Sequence, residues 1–108
     1  MRILILTLAI FVVPAFAAGP SSVIGKITMV RTGWNSEIFA VVTSVPMKNP
    51  AGCPTPDGAI AAVAQPGYKT YYAAALLGFA EKVDVEVIIN ETGCVAGRPK
   101  LIGINLFR

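Results

Sequence analysis

The chain has 108 residues, a formal charge of +3, two cysteines and no histidine. That is enough for one small domain, mildly basic and without a run of Lys or Arg, so a nucleic-acid footprint is excluded. The lack of histidine removes the usual general base near neutral pH and the commonest metal ligand.

Residues 1–17 read as a secretory signal. Arg2 gives a basic start, Ile3 to Val13 form an apolar run broken only by Thr7, Pro14 ends any helix, and Ala15-Phe16-Ala17 is a small-x-small cleavage pattern. The run is too short for a finished transmembrane helix, and no later stretch is long enough to be one. The expected product is a single domain, 18–108, in a secreted or periplasmic setting.

Within that domain, Gly19 to Ser22 is a lead-in. Val23 to Thr32 reads as a first strand, with Val23, Ile27 and Met29 on one face and Lys26 and Thr28 on the other. Gly33-Trp34-Asn35-Ser36 is a turn. Glu37 to Val45 is a second strand, apolar on both faces and so central or covered. Pro46, Pro50, Pro54 and Pro56 make 46–58 a loop, and Cys53 sits in its middle. Ala59 to Ala64 is a short third strand.

Tyr68 to Val83 reads as a helix with Tyr68, Tyr72, Ala75, Leu76, Phe79 and Val83 as its apolar stripe, so Tyr72, Leu76 and Phe79 are expected inside. Asp84 to Asn90 is a fourth strand, Glu91 to Gly97 a turn holding Cys94, and Arg98 to Phe107 a fifth strand with Ile102, Ile104 and Leu106 on one face.

The order β-β-β-α-β-β predicts an all-β domain with one helix, an OB-fold-like five-stranded Greek-key barrel. A helix on an open antiparallel sheet is the alternative. In an oxidising compartment the isolated pair Cys53 and Cys94 reads as one disulfide. Its loop of about 40 residues is worth on the order of 4 kcal/mol in the chain-entropy model.

Catalysis has little to work with. A Ser-His-Asp or Cys-His arrangement is impossible, two cysteines without histidine build no zinc site, and no nucleotide fingerprint is present. Asp84 and Glu86 would sit roughly 7 Å apart on one strand face, a spacing compatible with inverting glycoside cleavage but ordinary for a solvated strand. The expectation is no enzyme, no cofactor and no metal. Binding is the better use of the first turn, where Trp34 lies among Arg31, Asn35 and Glu37. An aromatic face with polar groups around it suits a sugar. Tyr71, off the helix stripe, is a further candidate, and Trp34 folded over a barrel edge is the alternative reading.

Pro46-Met47-Lys48-Asn49, the following Cys53, and Gly67-Tyr68-Lys69-Thr70-Tyr71-Tyr72-Ala73-Ala74-Ala75-Leu76 running into Val85-Glu86-Val87 resemble the binding subunits of AB5 toxins of the subtilase-cytotoxin and pertussis-like group. Ile27-Thr28 through Arg31-Thr32-Gly33 is similar to that group's first strand and turn, so the likeness spans roughly residues 23–90. It implies an OB-fold, bacterial secretion, a homo-pentamer, a separate enzymatic A subunit and recognition of cell-surface glycans, often sialylated. The chain departs from the group in having Val23-Ile24-Gly25, with Ser21 and Ser22 just before it, where a first-strand serine is expected, and in its cysteine positions. The function expected is therefore a secreted glycan-binding protein. A stand-alone envelope domain with a structural or protein-interaction role is the alternative.

Overall fold

The computed structural model describes residues 21–33 and 35–108. The expected signal segment, 1–17, and Trp34 lie outside the described residues. Elements follow the expected order: β1 (Ser22–Thr32), β2 (Ile38–Thr43), β3 (Ala59–Ala62), α1 (Tyr68–Glu81), β4 (Asp84–Val95) and β5 (Arg98–Phe107).

Among the described residues the protein is mostly β with one helix, and the five strands form one sheet. Their order, β1-β2-β3-β5-β4, returns to β1, so the sheet closes on itself. The long strand β1 makes this possible by serving two neighbours. Its first half pairs with β4, from Ser22↔Ile88 to Lys26↔Asp84, and its second half pairs with β2, from Ile27↔Thr43 to Thr32↔Phe39. Only β3 and β5 run parallel, and they share the single pair Ile60↔Lys100. Gln65 spans that seam: its Oε1 accepts the Ala62 N–H at 2.9 Å and its Nε2 donates to the Leu101 carbonyl at 2.9 Å.

The core is built from alternate strand positions, as period-2 burial requires. Val23 and Ile27 of β1, Phe39 and Val41 of β2, Val85, Val87 and Ile89 of β4 and Leu101 of β5 are buried together. β2 lies between β1 and β3, and Ala40 on its other face is buried too, which explains a strand apolar on both sides.

Two strand faces differ from the alternation read in the sequence, each because of an extra residue. On β1, Ile27 pairs with Thr43 but Met29 with Val42, so a bulge intervenes. Met29 is turned out, 44% exposed, and Val30 packs on the core in its place. On β5, Gly103 pairs with Ile88 but Leu101 with Ile89. Ile102 is the extra residue and is exposed, while Leu101 is fully buried and Ile104 and Leu106 pack on the core. A one-residue insertion reverses which side chains face inward.

β4 runs five residues beyond its expected end. Residues 90–93 loop out opposite Lys100, and pairing resumes at Cys94↔Pro99 and Val95↔Arg98. Asn90 makes the detour possible: its Oδ1 accepts the N–H of Thr92 at 2.9 Å and of Gly93 at 2.7 Å. The true turn is two residues, Ala96 and Gly97, with φ of 48° and 75°. Positive φ at both positions gives the twist that a tight hairpin needs.

The helix departs most from expectation. Its buried residues are Ala75 and Gly78, whereas Leu76 and Phe79 are 42% and 45% exposed. Tyr68, Tyr71 and Tyr72 pack partly buried against the core. Tyr68 and Tyr72 meet Phe39 edge-on, with ring centroids 5.4 and 5.1 Å away. A Cβ on Gly78 would stand 2.9 Å from Val85 Cγ1 and 3.5 Å from Ile27 Cδ1. The helix therefore presents its smallest side chains to the sheet, and the larger apolar ones are left outside.

Cys53 and Cys94 form the expected disulfide, with Cα atoms 5.8 Å apart. Asn49 sets Cys53 in place, accepting its N–H at 2.7 Å and donating to its carbonyl at 2.8 Å.

Two outcomes test this packing. Cys94→Ala should lower the unfolding free energy by about 2–5 kcal/mol, and a non-reduced digest should yield the Cys53–Cys94 pair by mass. Gly78→Val should destabilise by about 1–3 kcal/mol through overpacking, while Leu77→Ala, at a 55% exposed position, should change stability by no more than about 0.5 kcal/mol. Urea denaturation of both variants checks the contrast.

Candidate functional site

Arg31, next to last in β1, reaches the 44–58 loop. Its Nη1 lies 3.2 Å from Asp57 Oδ2. Arg98, the first residue of β5, takes the same carboxylate from the other side, with Nε 2.6 Å from Oδ1 and Nη2 3.4 Å from Oδ2. Arg98 Nη1 also donates to the Ala96 carbonyl at 3.2 Å. Asp57 is thus held by a forked, charge-assisted contact on one flank and a single one on the other. The Arg98 hydrogen bond, and then that of Arg31, hold its carboxyl below the ordinary value of 3.8 against the opposing effect of desolvation.

The same Asp57 lines a groove of about 500 Å3 with Val42, Thr43, Ser44, Val45, Pro46, Met47 and Pro56. The size falls within the range of small-molecule sites, about 300–1,000 Å3, and the lining is mostly apolar with a few polar groups. The Thr43 hydroxyl is spent on the Val45 carbonyl at 2.7 Å. Ser44 Oγ accepts the Lys26 backbone N–H at 3.0 Å, and its own O–H remains to donate. The walls exist because prolines 46 and 56 deny the loop a ladder, while the disulfide at Cys53 and the Thr55 N–H to Gly97 carbonyl bond of 2.8 Å pin it to the β4–β5 hairpin.

Of the residues singled out in the sequence, Arg31 adjoins this groove through Asp57. Asn35 is exposed in the β1–β2 turn with φ of 66°. Glu37 is exposed on the same turn, its carbonyl accepts the Val63 N–H at 3.0 Å, and its charge, after burial, helps raise the Tyr68 phenol above the usual value. Tyr71 is half-buried, with its ring where a Cβ on Gly67 would fall. Arg31 and Glu37 therefore have different neighbours. Asp57, Arg98 and the groove residues went unnoticed in the sequence because they lie in three separate segments. The one local signal was an acidic residue inside a proline-rich loop.

The two carboxylates weighed for catalysis are both engaged. Asp84 pairs with Lys26 at 2.9 Å, and Glu86 accepts from Ser22 Oγ and Asn105 Nδ2 at 3.0 Å each. Among the described residues, no group of three or more His, Cys, Asp or Glu is placed to hold a metal, and no helix is long and apolar enough to cross a membrane.

No family model, characterised protein or solved structure matches the chain.

The Asp57 bridge makes a pH prediction. Because the folded carboxyl titrates below the unfolded value of 3.8, the bridge contributes its full stability above that value. The contribution is lost as pH falls through the lower, folded value. Asp57→Asn should flatten the acid limb of a urea-midpoint profile between about pH 5 and pH 2, and the effect should be modest because the side chain is 41% exposed.

Proposed function

We propose that this is a secreted, non-catalytic glycan-binding protein built as an OB-fold-like Greek-key barrel. The fold reading is supported by the closed order β1-β2-β3-β5-β4 with the helix between β3 and β4. The glycan reading is supported above all by the groove itself: an apolar wall of Val45, Pro46, Met47 and Pro56 beside an oriented carboxylate, Asp57. Sugars present C–H faces that need apolar cover and hydroxyls that need fixed polar partners. The first-turn residues Arg31, Trp34, Asn35 and Glu37, with Tyr71, remain part of the proposed contact surface. The toxin-subunit resemblance adds the expectation of a ring of five and a separate enzymatic subunit.

A second reading, a protein-interaction domain of the bacterial envelope, is favoured by one observation. Leu76, Leu77 and Phe79 leave apolar side chains exposed on the outer side and both flanks of α1, at 42%, 55% and 45% exposure.

Binding to an array of several hundred glycans, with the solution mass measured in parallel, separates the two. Selective glycan binding that is lost in Trp34→Ala supports the first reading with its first-turn surface. Binding that survives Trp34→Ala keeps the function and removes Trp34 from the site. A monomer that binds no glycan favours the second reading.

A further inference from the structure

Resting on the glycan reading, we infer that the groove between the end of β2 and the 44–58 loop is a sugar subsite for a neutral, hydroxyl-rich pyranose, and that it rejects sugars carrying a carboxylate. The argument is one of local charge. Among the residues that line the groove, the sole ionised group is Asp57, an acceptor and not a donor. Two cations beside the groove, Arg31 and Arg98, each turn guanidinium N–H groups on this same carboxylate, at 2.6 to 3.4 Å. They fix Asp57 in its ionised state and aim it. A sugar carboxylate seated in the groove would lie against Asp57, where two negative charges repel, and one neutral hydroxyl, that of Ser44, does not offset that repulsion.

A neutral sugar meets complementary groups instead. Three of the roughly four acceptor directions of a carboxylate are used by the two arginines, and the side chain is still 41% exposed. Oδ1, with one bond, has a direction left for a ligand hydroxyl. Ser44, exposed on the groove, keeps its O–H to donate to a ring or hydroxyl oxygen. Pro46, Met47 and Pro56 cover the sugar's C–H face. The site thus offers one acceptor, one donor and an apolar wall, the set that a pyranose hydroxyl pair uses and a carboxylate does not.

The full protein should be titrated by calorimetry and by backbone amide shifts with methyl galactoside, methyl glucoside and N-acetylglucosamine, and in parallel with glucuronic acid and N-acetylneuraminic acid. The expected result is binding of at least one neutral probe, with shifts at Val45, Met47 and Asp57, and no shift there with either acid. Asp57→Asn should weaken the neutral probe about tenfold, the loss of one charge-assisted hydrogen bond. Val45→Ala, at a 37% exposed position of the wall and outside the ion cluster, should weaken it as well, so a fold defect in Asp57→Asn does not decide the matter. Acidic sugars binding in the groove, or a neutral sugar binding with no shift at these residues, overturns the subsite while keeping the glycan reading. No saccharide of either class binding, on these probes and on the array, overturns both.

Discussion

How near α1 can approach the sheet is decided by Gly78 and Ala75, and the distribution of apolar surface follows from that distance. At Gly78 there is no room for even one carbon between the helix and Val85. Every larger side chain on the helix must then lie to the flank or away. Tyr68 and Tyr72 can follow the helix down only because they stand at its N-terminal end, where Phe39 gives their rings an edge to pack on. Leu76, Leu77 and Phe79, further along, have no such opening. The exposed apolar side chains of α1 are thus the geometric counterpart of a close contact at Gly78, whatever use the protein makes of them.

The 44–58 loop solves a different problem. It has no ladder to hold it, yet it forms one wall of the groove. Its order comes from contacts spaced along it: Asn49 clamped on Cys53, the bond to Cys94, Thr55 on Gly97, and Asp57 between two arginines. Most of these end on the β4–β5 hairpin, so the loop is tied to the hairpin at several points. Those ties let a loop carry a shaped surface in a domain too small to bury such a loop under further layers.

Element order was legible in the sequence because each element carries its own periodicity or punctuation, from the β-branched run of β2 to the prolines of the loop. The disulfide was legible from the lone pair of cysteines, read with the expectation of an oxidising compartment. What escaped depends on contacts between segments. The bulge at Thr28 has no glycine or proline to announce it, and the one at Ile102 is marked only by the neighbouring Gly103, so simple alternation put Met29 and Ile102 inside. The helix stripe was read by hydrophobicity, which ranks Leu76 and Phe79 above Gly78, whereas packing ranked them by size. Asn90 closing a four-residue detour extended β4 past what its composition suggests. Asp57 and Arg98, 41 residues apart, had no reason to be joined until the hairpin and loop were brought together.

The closure of the barrel has a consequence for how the chain finds its fold. β1–β2 and β4–β5 are local hairpins, whereas the parallel β3–β5 seam joins distant segments through a single residue pair and one glutamine. Cys53 lies in the loop that leads to β3 and Cys94 near the end of β4, paired with Pro99 of β5, so the disulfide, spanning 41 residues, closes nearly the same loop as Ile60↔Lys100. The entropy of closing that loop is therefore lost once and not twice. After oxidation, β3 and β5 meet at the high effective concentration of tethered partners. A seam of one residue pair is thus backed by a covalent tether that keeps the two strands adjacent, and the sparsest pairing in the sheet can remain sparse.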